Sequence, residues 1–125
     1  YLRVNELIAL HEKPEVSPET PIKQVIVEIS QKRLGVTAVT EQGKIVGIIT
    51  DGDIRRMLET HDTLTNLTAA SIMSKNPKTI DTNAMATAAL DVLEKNSITQ
   101  LLAVDSTNNY AGVVHLHDLI KEGIL

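Results

Sequence analysis

The stretch Gly47-Ile48-Ile49-Thr50-Asp51-Gly52-Asp53-Ile54 decides the reading, because the chain carries a second copy of its pattern 65 positions later, Gly112-Val113-Val114-His115-Leu116-His117-Asp118-Leu119. In each copy an apolar, strand-like run leaves a glycine, and an acidic residue stands where a helix can begin. The duplication extends outward in both directions. Towards the N-terminus, Val16-Ser17-Pro18-Glu19-Thr20 matches Ile80-Asp81-Thr82-Asn83-Ala84 at an offset of 64, and Ile22, Val25, Ile26, Ile29 match Ala86, Ala89, Leu90, Leu93. Both sets follow i, i+3, i+4, i+7 and so form one apolar helix face each. Thr20-Pro21 and Asn83-Ala84 suit helix starts. The offset grows by one between the strands at Val36 to Val39 and Ile45 to Ile49 and their counterparts, where Glu41-Gln42-Gly43-Lys44 is turn-like and Asp105 to Asn109 is longer. Turns tolerate such insertions.

Each copy therefore reads strand, helix, strand, strand, helix, with a short helical lead-in at Leu7-Ile8 and again at Ile72-Met73. The expectation is an α/β (α+β) fold of two tandem βαββα units packed as a pseudo-two-fold pair. The first repeat is placed at residues 1–62 and the second at 63–125, with the Thr-rich stretch 60–68 as linker. A unit of about 60 residues is small for an adequate core, which favours two copies stabilising each other.

Composition narrows the functional classes. Of 125 residues, 42% are hydrophobic, and 12 Lys plus Arg stand against 16 Asp plus Glu, a formal charge of −4. With the basic residues scattered and only two aromatic side chains, nothing suits a nucleic-acid backbone or stacked bases. The absence of cysteine removes disulfides, thiolate metal sites and a cysteine nucleophile, and it suits a cytoplasmic location. Apolar runs are strand-sized, so no membrane partner is expected. The chain starts at Tyr1 rather than Met, and the expectation is a piece cut from a longer protein.

The corner made by Thr50 and Asp53 carries the chemistry. A hydroxyl at a strand end and a carboxylate at a helix start lie beside backbone N–H groups that lack an intrahelical partner. Gly52 permits close backbone approach, and Arg55 or Arg56, one turn on, can fork onto phosphate. Nucleotide binding follows from this set. So does plain helix capping by Asp53, with Thr50 an ordinary β-branched strand residue. In the second copy His115 replaces Thr50 and His117 replaces Gly52, so the hydroxyl and the bare backbone are lost while Asp118 remains. On a strand, His115 and His117 would share one face and could meet an anion. They could also ligate a metal, but two ligands alone are weak evidence for one, and neither His11 nor His61 has a spacing that obviously completes a site, so anion contact is the favoured reading. No catalytic constellation is present. Met57, Met73 and Met85 read as packing.

With these residues in place, the chain resembles a tandem pair of CBS motifs, a Bateman module. The glycine, apolar strand, Thr50 and Asp53 fit that family's signature. Ile29 to Thr37, Thr50 to Arg56 and His115 to Leu119 further resemble the C-terminal CBS pair of bacterial arabinose-5-phosphate isomerases of the KdsD and KpsF type. The resemblance implies an upstream sugar-isomerase (SIS) domain that interconverts ribulose 5-phosphate and arabinose 5-phosphate for Kdo and lipopolysaccharide synthesis. It implies no required cofactor, and a regulatory nucleotide or nucleotide-sugar, CMP-Kdo or AMP/ATP. Val16 and Ser17, or Ile80 and Asp81, would floor the base pocket, although plain sheet edge and turn is the alternative for each. It further implies a homodimer of CBS pairs in a tetrameric parent. An assembly module with an empty cleft is the competing reading, motivated by Met57, Leu58, Leu119 and Ile120 on helix faces.

Overall fold

The doubled helix and strand pattern produces a doubled fold. In the computed structural model, which describes residues 1–124, six helices and six strands fall into two three-stranded sheets. Leu125, the last residue of the expected second repeat, lies outside the described residues. The chain divides into two compact units, Pro14–Pro77 and a discontinuous one formed by Tyr1–Lys13 with Lys78–Leu125.

In the Pro14–Pro77 unit, β1 (Glu15–Val16) runs parallel to β2 (Val36–Glu41), which pairs antiparallel with β3 (Lys44–Thr50). The β2–β3 connection places Gln42 and Gly43 at φ 51° and 81°, the left-handed pair that two-residue hairpin turns require. Between β1 and β2 lies α2 (Ile22–Lys32), and α3 (Asp51–Thr60) follows β3 directly. The predicted stripe Ile22, Val25 and Ile29 is buried with Val16, Val39, Ile49 and Met57 in one core, and Ile26 packs at its edge. Fully burying an aliphatic side chain contributes about 1.5–3 kcal/mol, so this stripe and its partners hold the helix to the sheet.

The second unit repeats the plan with β4 (Thr79–Asp81), α5 (Ala86–Lys95), β5 (Gln100–Val104), β6 (Tyr110–His115) and α6 (Leu116–Lys121). β4 is parallel to β5, and β5 is antiparallel to β6. Even the irregularities correspond, since the register slips between Val39 and Thr40 in one hairpin and between Ala103 and Val104 in the other. The core gathers Ala86, Ala89, Leu93, Leu101, Val114 and Leu119.

The lead-ins explain why the units differ from the repeats. Helix α1 (Val4–Ile8) packs on β6 and α5, and Val4 and Leu7 join the second core. Helix α4 (Ala69–Ile72) packs on β3 and α3 and contributes Ala69 to the first core. Both lead-ins press on the signature glycine of their unit. A Cβ on Gly112 would stand 2.9 Å from Ile8 Cβ, and one on Gly47 would stand 2.6 Å from Met73 Sδ. The 60–68 stretch does more than connect: Leu64 and Leu67 pack against the first core, and the Leu67 carbonyl accepts from the Ile22 N–H at 2.9 Å. Among the described residues, no helix is long and apolar enough to cross a membrane.

Two expectations need correction. The last helix of each unit begins earlier than an Asp cap would have it, at Asp51 and Leu116, because Thr50 and His115 occupy the N-cap positions. The helix faces offered for assembly are only half available: Met57 and Leu119 are 3% and 0% exposed, whereas Leu58 and Ile120 are 56% and 48% exposed.

Candidate functional site

The first corner is built where β3 passes into α3 without a loop. Thr50 is extended at φ −109° and ψ 167°, and its hydroxyl oxygen accepts from the Asp53 N–H at 3.3 Å. In return Asp53 Oδ2 accepts from the Thr50 N–H at 2.9 Å and from its hydroxyl at 3.1 Å. This reciprocal arrangement is a capping box, with Asp53 as its third helical residue. Asp53 Oδ1 accepts from Arg56 Nη2 at 2.6 Å. The guanidinium also lies over Gly52, where a Cβ would stand 3.3 Å from Arg56 Nη1 and 3.5 Å from Thr50 Oγ1. Thr50, Gly52, Asp53 and Arg56 are therefore together. Arg55 is exposed and takes no part in this network.

The Asp53 carboxylate is 13% exposed and the Arg56 side chain 67%. Solvent screens such a pair, which is worth about 0–1 kcal/mol, so an incoming hydroxyl can replace the guanidinium at little cost.

The other residues expected here distribute differently. Val16 is buried in the core, and Ser17 bonds through its N–H and hydroxyl to Thr20 Oγ1, each at 3.0 Å. Both line a hollow of about 430 Å³ with Glu15, Thr20, Gln24, Glu28 and Thr40; neither Thr50 nor Asp53 belongs to its wall. A second hollow of the same unit, about 300 Å³, lies between α2 and α3 and is lined by Ile26, Ile29, Ser30, Arg33, Gly35, Asp51 and Ile54. In the other unit Ile80 sits in the core, and Asp81 Oδ1 accepts from the Asn83 N–H at 2.7 Å, a local turn.

The second corner contains a residue that spacing did not reveal. Asp118 is only 6% exposed, and His11 Nε2 donates to its Oδ2 at 2.6 Å across 107 positions of sequence. His11 follows α1, and the position 65 residues later is Asn76, so the repeat held no hint of this contact. The shared strand face expected of His115 and His117 is not formed, since β6 ends at His115 and His117 already lies in α6. Instead the His117 N–H donates to His115 Nδ1 at 3.0 Å, capping the helix, and the two rings meet edge to face at 6.4 Å. Burial pushes the His115 pKa below its ordinary 6.5; Asp118 opposes this, while His117 and His11 add to it. Among the described residues, no group of three or more His, Asp or Glu is arranged to hold a metal ion.

Comparisons with known proteins place this geometry. The CBS domain family matches residues 6–60 and 69–124. The arabinose 5-phosphate isomerase KdsD of Francisella tularensis subsp. tularensis is 44% identical over 111 residues, which is 89% of this chain and 34% of that protein. KdsD of Yersinia pestis is 34% identical over 126 residues, 99% of this chain and 38% of that protein. The chain thus spans little more than a third of the length of these relatives. Among solved structures, the CBS domain NE2398 superimposes with a TM-score of 0.85 at 19% identity, covering 98% of both chains. The CBS domain protein PAE2072 from Pyrobaculum aerophilum, solved as a complex with AMP, does so with a TM-score of 0.80 at 25% identity, covering 94% of this chain and 90% of that one. Two matched segments, two βαββα units and two copies of one strand-to-helix corner agree: the chain belongs to the CBS domain family, as a tandem pair.

Proposed function

We propose that this CBS pair is the regulatory part of an arabinose-5-phosphate isomerase and that its first corner receives a nucleotide or nucleotide-sugar, an adenine nucleotide or CMP-Kdo. The single observation that supports this best is the Arg56–Asp53–Thr50 network. A ribose hydroxyl donating to Asp53 Oδ1 replaces the bond from Arg56 Nη2 and frees the guanidinium for a phosphate oxygen. At Gly52 the guanidinium lies over the bare Cα, so its departure uncovers the backbone there. The similarity to KdsD proteins and the AMP complex of PAE2072 support the same assignment. An upstream sugar-isomerase domain would be the receiver of the signal. A ligand shifts its activity only by binding two arrangements unequally, and such coupling is typically about 1–3 kcal/mol.

Calorimetric titration of the chain with AMP, ATP and CMP-Kdo tests the reading. Heat from at least one of them is expected, abolished in Asp53→Ala and weakened in Arg56→Gln. Arg56 is mostly exposed, so its replacement leaves the fold intact and separates lost binding from lost structure. No heat from any of the three in the folded parent chain would overturn it. Exposed Leu58 and Ile120 favour a second reading, assembly without ligand, in which that negative result accompanies a stable dimer.

A further inference from the structure

The second corner holds one buried carboxylate among three imidazoles, two from α6 and its cap and one from the far end of the chain. Asp118 accepts from His11 at 2.6 Å, and its side chain is 8% exposed. Next to it, His115 Nδ1 accepts the His117 N–H, a role open only to an imidazole without a proton on that nitrogen. The segment that delivers His11 is fastened near its beginning by the Val4 N–H to the Ala84 carbonyl and the Asn5 N–H to the Thr82 carbonyl, at 2.9 and 3.0 Å. Near its end it is fastened to β6 and α6 by His11 and by Lys13, whose Nζ stands 5.1 Å from the Tyr110 ring centroid.

We propose that His11, Asp118, His115 and His117 form a proton-responsive latch, which ties the Leu10 to Lys13 end of the lead-in to the second corner while His115 is neutral and releases it when His115 is protonated. A proton on Nδ1 turns the acceptor of the cap into a donor facing another donor, so the first turn of α6 loses its cap. The same proton makes His115 a cation that competes with the His11 hydrogen bond for one carboxylate. Among the charges on the packed elements, Glu94 of α5 lines a hollow with Leu116, and Lys121 ends α6. From β5 the residue opposite His115 is the neutral Gln100. On α5, Asp91 pairs with Lys95 at 3.0 Å, and on α1, Glu6 accepts from the Arg3 N–H at 3.0 Å. The lowered pKa of His115 keeps it neutral near pH 7, with the response on the acid side.

Nitrogen-15 relaxation and amide exchange on the 125-residue chain between about pH 7.5 and about pH 5.5 test the latch, in the range where histidine titrates. On acidification the order parameters of Leu10 to Lys13 and the protection of the His117 amide should fall together, while the Val4 amide stays protected. His115→Asn supplies a cap that does not titrate, and both changes should vanish in it. Asp118→Asn should loosen Leu10 to Lys13 several-fold in amplitude at either pH. Loosening that persists in His115→Asn, or a lead-in that stays ordered at the acid end in the parent chain, would overturn the proposal.

Discussion

The two corners descend from one pattern and hold their carboxylates in opposite ways. Asp53 is tied to neighbours within its own turn and to an arginine that is mostly in water, so its bonds exchange readily. Asp118 is buried and tied to a residue from the opposite end of the sequence. The hollows beside the corners diverge in the same sense. The one at α2 and α3 carries Ser30, Arg33 and Asp51 on an isoleucine floor, whereas its counterpart, about 250 Å³ and lined by Leu93, Glu94, Ser97, Ile98, Thr99 and Leu116, has Ser97 and Leu116 in place of the two charges. One copy thus has a polar corner closed by an exposed arginine, and the other puts a similar backbone to internal use.

Substitutions at matched positions measure that divergence. Leu119 is fully buried and its counterpart Ile54 is half-buried beside a hollow, so Leu119→Ala should lower stability by about 2–5 kcal/mol and Ile54→Ala by clearly less, read from urea midpoints. Equal losses would mean that the two cores are packed alike. Gly112→Ala should cost about 1–3 kcal/mol, because Ile8 Cβ blocks the new methyl and φ is +154°; Gly47→Ala should cost less, since the facing Met73 thioether can move. Thr50→Ala should cost about 1 kcal/mol through the lost cap, by the same amount at every pH from about 5.5 to about 7.5.

The cap at His115 behaves otherwise. Its folded pKa lies below 6.5, so the unfolded chain binds the proton more readily and stability rises with pH through that interval. Stability is therefore lost as pH falls from about 6.5 towards the folded value, and thermal melts of His115→Asn should show a flatter profile than the parent chain. Smallest of all, Arg56→Gln should change stability by less than about 1 kcal/mol, as expected of an exposed pair.

Local patterning carried most of the architecture. The stripe at Ile22, Val25 and Ile29 and the Gln42-Gly43 turn act within a few residues, and each is where periodicity or turn chemistry put it. What escaped was non-local. His11 meets Asp118 only because α1 crosses to β6, and no spacing encodes that. The boundary between β6 and α6 was also missed, because His115-Leu116-His117 alternates like a strand while the cap at His115 starts a helix. At the first corner the residue types were legible and their bonds were not: Thr50 and Asp53 cap each other reciprocally, whereas Asp53 alone had been the expected cap.

The discontinuity of one unit has a bearing on how the protein is made. Pro14–Pro77 can close as soon as its own residues have left the ribosome, whereas Tyr1–Lys13 has to wait for strands and helices translated after Pro77. Until then Val4 and Leu7 are without their apolar partners, and the closing step bears the entropy of a loop containing the whole earlier unit. Birth order and assembly order thus run opposite to each other for the segment Tyr1–Lys13.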